Sequence, residues 1–394
     1  MATDSAPPPS STPALPASPE RPCLPVERVD VSAYTVPTDA PEADGTLSWD
    51  TTTTVVAEVR SGGLTGTGWT YAPPAAADVV RHQLAPLVEG FDVLDIPATH
   101  ARMCRAVRDA GRPGIVSCAI SAVDIALWDL KARLLDLPLV RLLGANRDRV
   151  PVYGSGGFTT YHDTHLAAQL SGWVHGQHIP RVKIKIGEAW GRAATRDLQR
   201  VRHARQVIGP RAELYVDANG GYNRKQAVRI GEALAAVGVG WFEEPVSCDD
   251  LTGLRLVRDA LLCDVTAGAY GYDLPSFARM IAAGAVDCLQ ADATRCGGIT
   301  EFLRVAALAQ AHGLEISSHH APHAHADVAA CVPNLRHLEW FHDHVRVESM
   351  LFGGVLDPTG GTLRPGRNGP GHGLVLRGEE MEEYRVAQRP TFRA

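Results

Sequence analysis

From Val26 onward, apolar and polar positions alternate in VERVDVSAYTV and TTTVVAEVRS, followed by GLTGTGWTYA, and this period of two predicts the strands of an antiparallel meander. Between Pro73 and about Leu143 the spacing becomes helical, in AAADVVRHQLAPLVEG, ATHARMCRAVRDAG and the long apolar segment AISAVDIALWDLKARLLDLPLVRLLG. Ile120, Val123, Ile125, Ala126, Leu130 and Leu134 fall on one face of that last helix, and Pro138 stops it. Beyond Val150 the text changes again. Short apolar runs (VPVYGSGGF, RVKIKIG, LYVDANGGY, GWFEEP, VTAGAYGY, CLQADATRCGG, EISSHHAP, HLEWF) alternate with helical stretches such as TRDLQRVRHARQVIG, NRKQAVRIGEALAAVG, SFARMIAAGA and GITEFLRVAALAQAHG. Each of these helices ends at or beside a glycine, a common C-cap. The repeat of about 25 residues is the length of one strand, one loop, one helix and a return loop, so it predicts successive β/α units. The fold expected is an α+β domain followed by a parallel α/β barrel.

The remaining segments set the domain boundaries. Residues 1–22 are dominated by Pro, Ser and Ala, a composition that buries too little apolar surface to offset ordering entropy, and predict a disordered tail. The α+β domain is assigned to 23–145, the barrel to 146–350, and the Gly- and Pro-rich stretch 351–394 to a segment that packs back on the first domain. Residues 38–50, TDAPEADGTLSWD, read as a polar insert long for a hairpin, either a plain surface loop or a mobile lid over a site.

With 394 residues and 45% apolar content the chain can fill a large barrel and a smaller domain. The net charge of −6, without a basic stripe, argues against nucleic acid or an anionic membrane as partner and for a small molecule. Eight scattered cysteines without a CxxC pair suit free thiols in a reducing compartment. No apolar run approaches the roughly 20 residues of a membrane span, and the N-terminus has neither the basic start nor the apolar core of a signal peptide, so a cytoplasmic protein is expected.

The barrel repeat carries chemistry at its strand ends. In order these are Lys183 and Lys185, Asp217, Glu243, Asp292, His319 and Glu339, while the unit VTAGAYGY carries only Ala269. In a parallel barrel all the carboxyl ends of the strands open on one face, where active sites sit. Taken singly, an acidic residue at a strand end is unremarkable. Asp217 and Glu243 at equivalent positions of adjacent units are the oxygen ligands that a hard cation such as Mg²⁺ requires. Lys183 and Lys185, two apart on a strand, share a face and need a function or a partner, because an unpaired buried ammonium is costly. Asp292 can accept the Nδ1 proton of His319, leaving Nε2 to exchange protons. A base on each side of a metal-bound carboxylate is suited to abstracting an α-proton, with nearby positive charge stabilising the enediolate. Crowding by Mg²⁺ and Lys183 should depress the pKa of Lys185, and Glu339, if protonated, could hydrogen-bond the substrate carboxylate.

In this order and spacing, RVKIKIG, YVDANGGY, WFEEP, ADATRCGG, ISSH and HLEWF resemble the mandelate racemase group of the enolase superfamily over roughly residues 26 to 380. The resemblance implies a modified (β/α)7β TIM barrel with an N-terminal α+β capping domain, and residues 38–50 as the specificity lid. It implies Lys185 as base on one face, the His319–Asp292 dyad on the other, Lys183 and Asn219 beside the substrate, Asp217 and Glu243 as Mg²⁺ ligands, and Glu339 as electrophilic partner. It further implies an acid-sugar substrate, dehydration as the first choice of reaction with racemisation or epimerisation of a 2-hydroxy acid as the alternative, and a homo-oligomer, commonly an octamer or a dimer. Tyr153, Tyr161, His162 and Tyr222 are expected among the polar groups at the barrel mouth.

One position departs from that pattern. The third metal ligand, a carboxylate after the fifth barrel strand, falls on Ala269, and the nearest acidic residues are Asp264 and Asp273. Three accounts compete: an inactivated variant of a parent with glutamate there, a relative that uses water, substrate or Asp292 instead, or a protein that has left metal chemistry for binding. His319, His320, His323, His325, His342 and His344 also flank the last two strands and offer a softer metal such as Zn²⁺ or Ni²⁺ an alternative site. Alternation along a continuing strand would point His320 away from the mouth.

Overall fold

The computed structural model describes residues 23–387, so the Pro-, Ser- and Ala-rich segment 1–22 lies outside the described residues. The meander forms as the alternation predicts. Strands β1 (Arg28–Ala43), β2 (Ser48–Ser61) and β3 (Leu64–Tyr71) make an antiparallel sheet in the order β1-β2-β3, with Val31 opposite Ala57 and Val56 opposite Trp69. Val29, Val31, Val55, Ala57 and Val59 bury one face against helical residues including Ile120, Val123 and Leu130.

The helix Ile115–Leu134 joins this sheet to the rest of the molecule. Its apolar positions were expected on one face, yet it is buried nearly all round, Asp124 and Asp129 included. One side meets β3 so closely that a Cβ added to Gly66 or Gly68 would lie 2.3 or 2.2 Å from the carbonyl oxygen of Ala126 or Ala122. The other side meets the barrel, where Trp128 Nε1 donates to Thr300 Oγ1 (2.9 Å) and Asp124 accepts from the Thr300 amide and hydroxyl. Asp129 accepts from the Thr67 amide (2.8 Å) and from Arg133 Nε (2.7 Å), so both buried acids are bonded rather than stray.

The barrel has eight parallel strands: β4 (Val150–Gly156), β5 (Arg181–Lys185), β6 (Glu213–Asp217), β7 (Val239–Glu243), β8 (Asp264–Ala267), β9 (Cys288–Ala291), β10 (Glu315–Ser318) and β11 (Leu335–Phe341). They pair in chain order, and β11 closes the ring on β4 with Leu338 opposite Val152. Seven helical crossovers separate them. Four were legible as helices in the sequence, and Leu251–Ala260 and Pro322–Cys331 are among those that were not singled out. Inside the barrel Tyr153, Tyr215, Trp241 and His337 pack against one another, Tyr215 stacked on Trp241 and the others edge-on or tilted, and fill its lower half. After β11, Phe352 stacks at 4.5 Å from Trp69 of β3, and the Val386 amide donates to the Ala33 carbonyl (2.8 Å). Among the described residues no helix is long and apolar enough to cross a membrane, and all eight cysteines are free thiols.

Residues 38–50 depart from the expected open insert. β1 continues to Ala43 and β2 restarts at Ser48, so the segment is a hairpin with an irregular register between Pro37 and Glu42 and a tight turn held by Asp44, whose Oδ1 accepts from the Thr46 and Leu47 amides. The strands persist because the turn is docked. The Thr159 amide donates to the Ala43 carbonyl and the Trp190 amide to the Gly45 carbonyl.

The contact at Gly68 can be tested directly. Gly68→Ala is expected to lower stability by about 1–3 kcal/mol through overpacking against the helix backbone, whereas Gly240→Ala, with nothing within 4 Å of an added Cβ, should stay within about 0.5 kcal/mol. Chemical denaturation of the two variants checks this, and equal losses would contradict it.

Candidate active site

The period-two alternation of each strand decides which side chains face the barrel interior, and it stacks them in two levels. Tyr153, Tyr215, Trp241 and His337 lie below. Above them, closer to the carboxyl ends, come Lys183, Lys185, Asp217, Glu243 and Glu339 on β5, β6, β7 and β11, joined by Asp292 and His319 one residue beyond β9 and β10. All of these are buried.

The cations and anions of this upper level are paired. Lys185 Nζ donates to Asp217 Oδ2 at 2.5 Å, and Lys183 Nζ stands 2.6 Å from Glu243 Oε2, 2.7 Å from Glu339 Oε1 and 3.3 Å from the Tyr153 hydroxyl. Burial disfavours the Lys185 ammonium, but the Asp217 charge outweighs it, so its pKa lies above the ordinary lysine value. The expected depression is thus reversed in this arrangement, because Asp217 faces the amine directly. Burial likewise works against the Glu339 carboxylate, and Lys183 overrides it, holding its pKa well below the usual range. Glu339 is therefore ionised, not the protonated donor anticipated; it accepts from Ser155 Oγ (2.6 Å) and from the His320 amide (3.0 Å). Two ammonium groups serve three carboxylates. Burial and the Asp217 charge push Glu243 up to about 8, which makes it the acid short of counter-charge.

Across the cavity His319 Nδ1 bonds Asp292 Oδ2 at 3.0 Å, which leaves Nε2 unprotonated and free in the neutral ring. Burial lowers the His319 pKa, only partly countered by Asp292, so the ring is neutral at pH 7. Asp292 is engaged through both oxygens: its Oδ1 takes the Thr294 amide and hydroxyl, both at 2.7 Å, and Arg295 Nε lies 3.6 Å from Oδ2.

The cavity above these groups, about 180 Å³, is lined by Lys185, Asn219, Glu243 and His319, and by Ala269 after the tight Gly268. It is also lined by residues to which sequence reasoning gave no role at the site, notably Glu244, Tyr270, Arg295 and Thr52, and by Asp44 and Trp49 of the docked hairpin, which belong to the 38–50 stretch expected as the lid. Of the residues given no role, only Glu244, beside Glu243 in GWFEEP, and Arg295, three residues after Asp292, carried a local signal. Lys183, Asp217, Asp292 and Glu339 lie just beneath the lining. Tyr153, Tyr161, His162 and Tyr222 do not line it. Tyr153 sits a level lower, Tyr161 stacks on His165, and the Tyr222 hydroxyl donates to Asp197 Oδ2 at 2.7 Å.

Of the six histidines, His319 and His320 meet Glu339 with ligand atoms within 4.8 Å of one another. His323 pairs with Glu348 (2.5 Å), His342 with Asp39 (2.9 Å), and His325 accepts from the Ala293 amide (2.7 Å). His320 faces the cavity instead of pointing away, because β10 ends at Ser318 and His320 takes a left-handed conformation (φ 49°), stacked between His319 and Phe341. Asn219 (φ 47°), Glu244 (φ 38°) and Ala321 (φ 40°) share that rare conformation at the same end of the barrel.

The donor set fits a hard divalent cation in part. Asp217 and Glu243 end adjacent strands, with Asp217 opposite Glu243 in register. The local deficit of positive charge favours a cation, and buried oxygens of Asn219 (Oδ1) and Glu244 (Oε1) lack partners among the described residues. Ala269 contributes none.

Comparison with known proteins agrees with this architecture. Residues 28–144 match the family model for the mandelate racemase / muconate lactonizing enzyme N-terminal domain, and residues 165–381 the model described as enolase C-terminal domain-like. A solved mandelate racemase/muconate lactonizing enzyme-like protein from Rubrobacter xylanophilus is 51% identical, with a TM-score of 0.89, over 92% of this chain and 100% of that one. A racemase from Streptomyces coelicolor, solved with bound magnesium, is 30% identical with a TM-score of 0.86 over the same shares. The L-talarate/galactarate dehydratase of Salmonella typhimurium is 34% identical over 298 residues, 73% of each chain.

The hairpin over the mouth yields a pH prediction. Glu42 is fully buried, accepts from Trp49 Nε1 (2.8 Å), and is pushed up to about 9 by burial and by the Asp343 charge. The folded state therefore holds a proton that the unfolded chain, titrating at about 4.3, releases, so Glu42 lowers stability increasingly from about pH 4 to 9. Glu42→Gln, which mimics the neutral acid, is expected to raise the melting temperature relative to wild type at pH 8 and not at pH 4; an equal difference at both values would contradict the assignment.

Proposed function

This chain belongs to the mandelate racemase and muconate lactonizing enzyme family, and on that premise we propose that it removes the α-proton of an acid-sugar carboxylate and then expels the β-hydroxyl, as a hydro-lyase. The observation that carries the reading is that Lys185 and the His319–Asp292 dyad open into one cavity from β5 and β10, three steps apart around the ring. A substrate carbon between them presents opposite faces to the two groups.

The roles follow from the chemistry of each group. Neutral His319, its tautomer set by Asp292, can accept the α-proton at Nε2 and pass it to the departing hydroxyl. Lys185 as an ammonium is placed to deliver a proton. To accept one it has to part from Asp217, whose charge holds the proton on the amine. Lys183 and ionised Glu339 fix the floor beneath the substrate, and Asn219 and Arg295 offer hydrogen bonds to it from the rim. A magnesium ion, which the Streptomyces neighbour carries, would be held by Asp217 and Glu243 and would supply positive charge that stabilises the substrate carboxylate as its α-proton leaves. The docked hairpin contributes Asp44, Trp49 and Thr52 to the cavity wall, and free thiols throughout suit a cytoplasmic setting.

Racemisation or epimerisation of a 2-hydroxy acid is the second reading, favoured by the same presence of groups on both faces. Dehydration needs only one of them to act as base and acid, whereas racemisation needs both. A third reading, a silent binding protein, draws on Ala269.

Proton NMR in D₂O with Mg²⁺ and a panel of acid sugars, galactarate included, separates these. Loss of water with a solvent deuteron at the former β-carbon of a 2-keto product is the expected outcome, and exchange at the α-carbon with inversion alone would favour the racemase. His319→Asn should cut exchange from one face by about 10²-fold or more while leaving the Lys185 face active; equal loss from both faces would sink the two-base assignment. No reaction in wild type or in Ala269→Glu would leave the binding reading in possession.

A further inference from the structure

With Ala269 after β8, a cation at the mouth meets only two carboxylates from strand ends, and losing one anionic ligand weakens such a site because ligand charge sets affinity. Another carboxylate is at hand. Glu244 is 2% exposed, lines the same cavity as Ala269, and its Oε1 is enclosed without a hydrogen-bond partner among the described residues. Such an oxygen has given up hydration with nothing in return. The other buried acids in and just beneath the cavity are each engaged: Asp217 by Lys185, Glu243 and Glu339 by Lys183, Asp292 by His319, and Asp343 by Arg346.

The backbone places Glu244 toward the gap. Its amide donates to the Thr266 carbonyl (2.9 Å) on β8, the strand that leads to Ala269, and its own carbonyl accepts from the Gly220 amide (2.8 Å) in the loop after Asp217. It is thereby tied to both neighbours of β7, and beside it Asn219 Oδ1 offers a second unpartnered oxygen. Ala269 lines the same cavity and brings only a methyl group to it.

We propose that Glu244 supplies the third carboxylate for a divalent cation in this chain, with Asp217 and Glu243, in place of an acidic residue at position 269. This rests on the cation site of the proposed function. Gathering the three requires Asp217 and Glu243 to turn from the lysines they now face, while Glu244 has no partner at Oε1 to surrender.

The test is Mn²⁺ binding to the full chain, followed by water-proton relaxation and by the Mn²⁺-dependent shift in melting temperature, for wild type, Glu244→Gln, Ala269→Glu and the double variant. Wild type is expected to bind, and Glu244→Gln to weaken binding by about tenfold or more without lowering the melting temperature of the metal-free protein. In the Ala269→Glu background the same change should cost less than about threefold, the signature of two groups that substitute for each other. An unchanged affinity in Glu244→Gln overturns the assignment while leaving the proposed function intact, and so does an equal loss in both backgrounds, which marks Glu244 as a distant charge. Binding by Ala269→Glu but not by wild type also overturns it, because Glu244 then fails to substitute. If no variant binds Mn²⁺, the cation site itself falls, and the inference with it.

Discussion

Everything at the barrel mouth depends on burying a set of charges that balances only as a set. Lys183 and Lys185 bear on Asp217, Glu243 and Glu339 at 2.5 to 2.7 Å, in a region with almost no solvent. Removing one member would leave another buried and unpaired, which costs more than an intact pair contributes. The set also has a built-in shortfall of positive charge, felt most at Glu243. That shortfall gives a divalent cation, a proton or a substrate cation-binding group a reason to enter. The aromatic floor of Tyr153, Tyr215, Trp241 and His337 keeps water from relieving it from below.

The capping domain completes the site by packing. Helix Ile115–Leu134 is clasped by glycine contacts on the sheet side and by Asp124 and Trp128 bonds on the barrel side, so the sheet is held at a defined distance from the strand ends. That anchoring carries the β1–β2 hairpin over the cavity, where Asp44, Trp49 and Thr52 become part of its wall. Backbone strain collects at the same end, in the left-handed Asn219, Glu244, His320 and Ala321. Each strained residue turns the chain immediately after a strand, and in doing so aims a side chain into the cavity or shapes its rim. Unfavourable conformations of this kind persist where surrounding hydrogen bonds over-determine them.

The strand-end rhythm made the barrel legible, and with it Lys183, Lys185, Asp217, Glu243, Asp292, His319 and Glu339, because side chains two apart on a strand must share a face and parallel strands must end together. The helices Leu251–Ala260 and Pro322–Cys331 were harder to see; the second is buried almost throughout, so no polar stripe sets its period. Residues 38–50 looked like a loop because their polar side chains say nothing of the backbone partners, in the Thr159 and Trp190 turns, that make them a hairpin.

By itself, then, the sequence determined the order of the elements, the face on which each strand-end group lies and the gap at Ala269, all consequences of local periodicity and residue identity. Only the tertiary structure decided how those groups pair: that Asp217 keeps Lys185 protonated, that Lys183 keeps Glu339 ionised, that Asp292 is bonded to His319 and Thr294, and that Glu244 Oε1 is left over. The physical reason is that protonation and coordination depend on distances of a few ångströms between side chains from different strands, in a medium too dry to screen them.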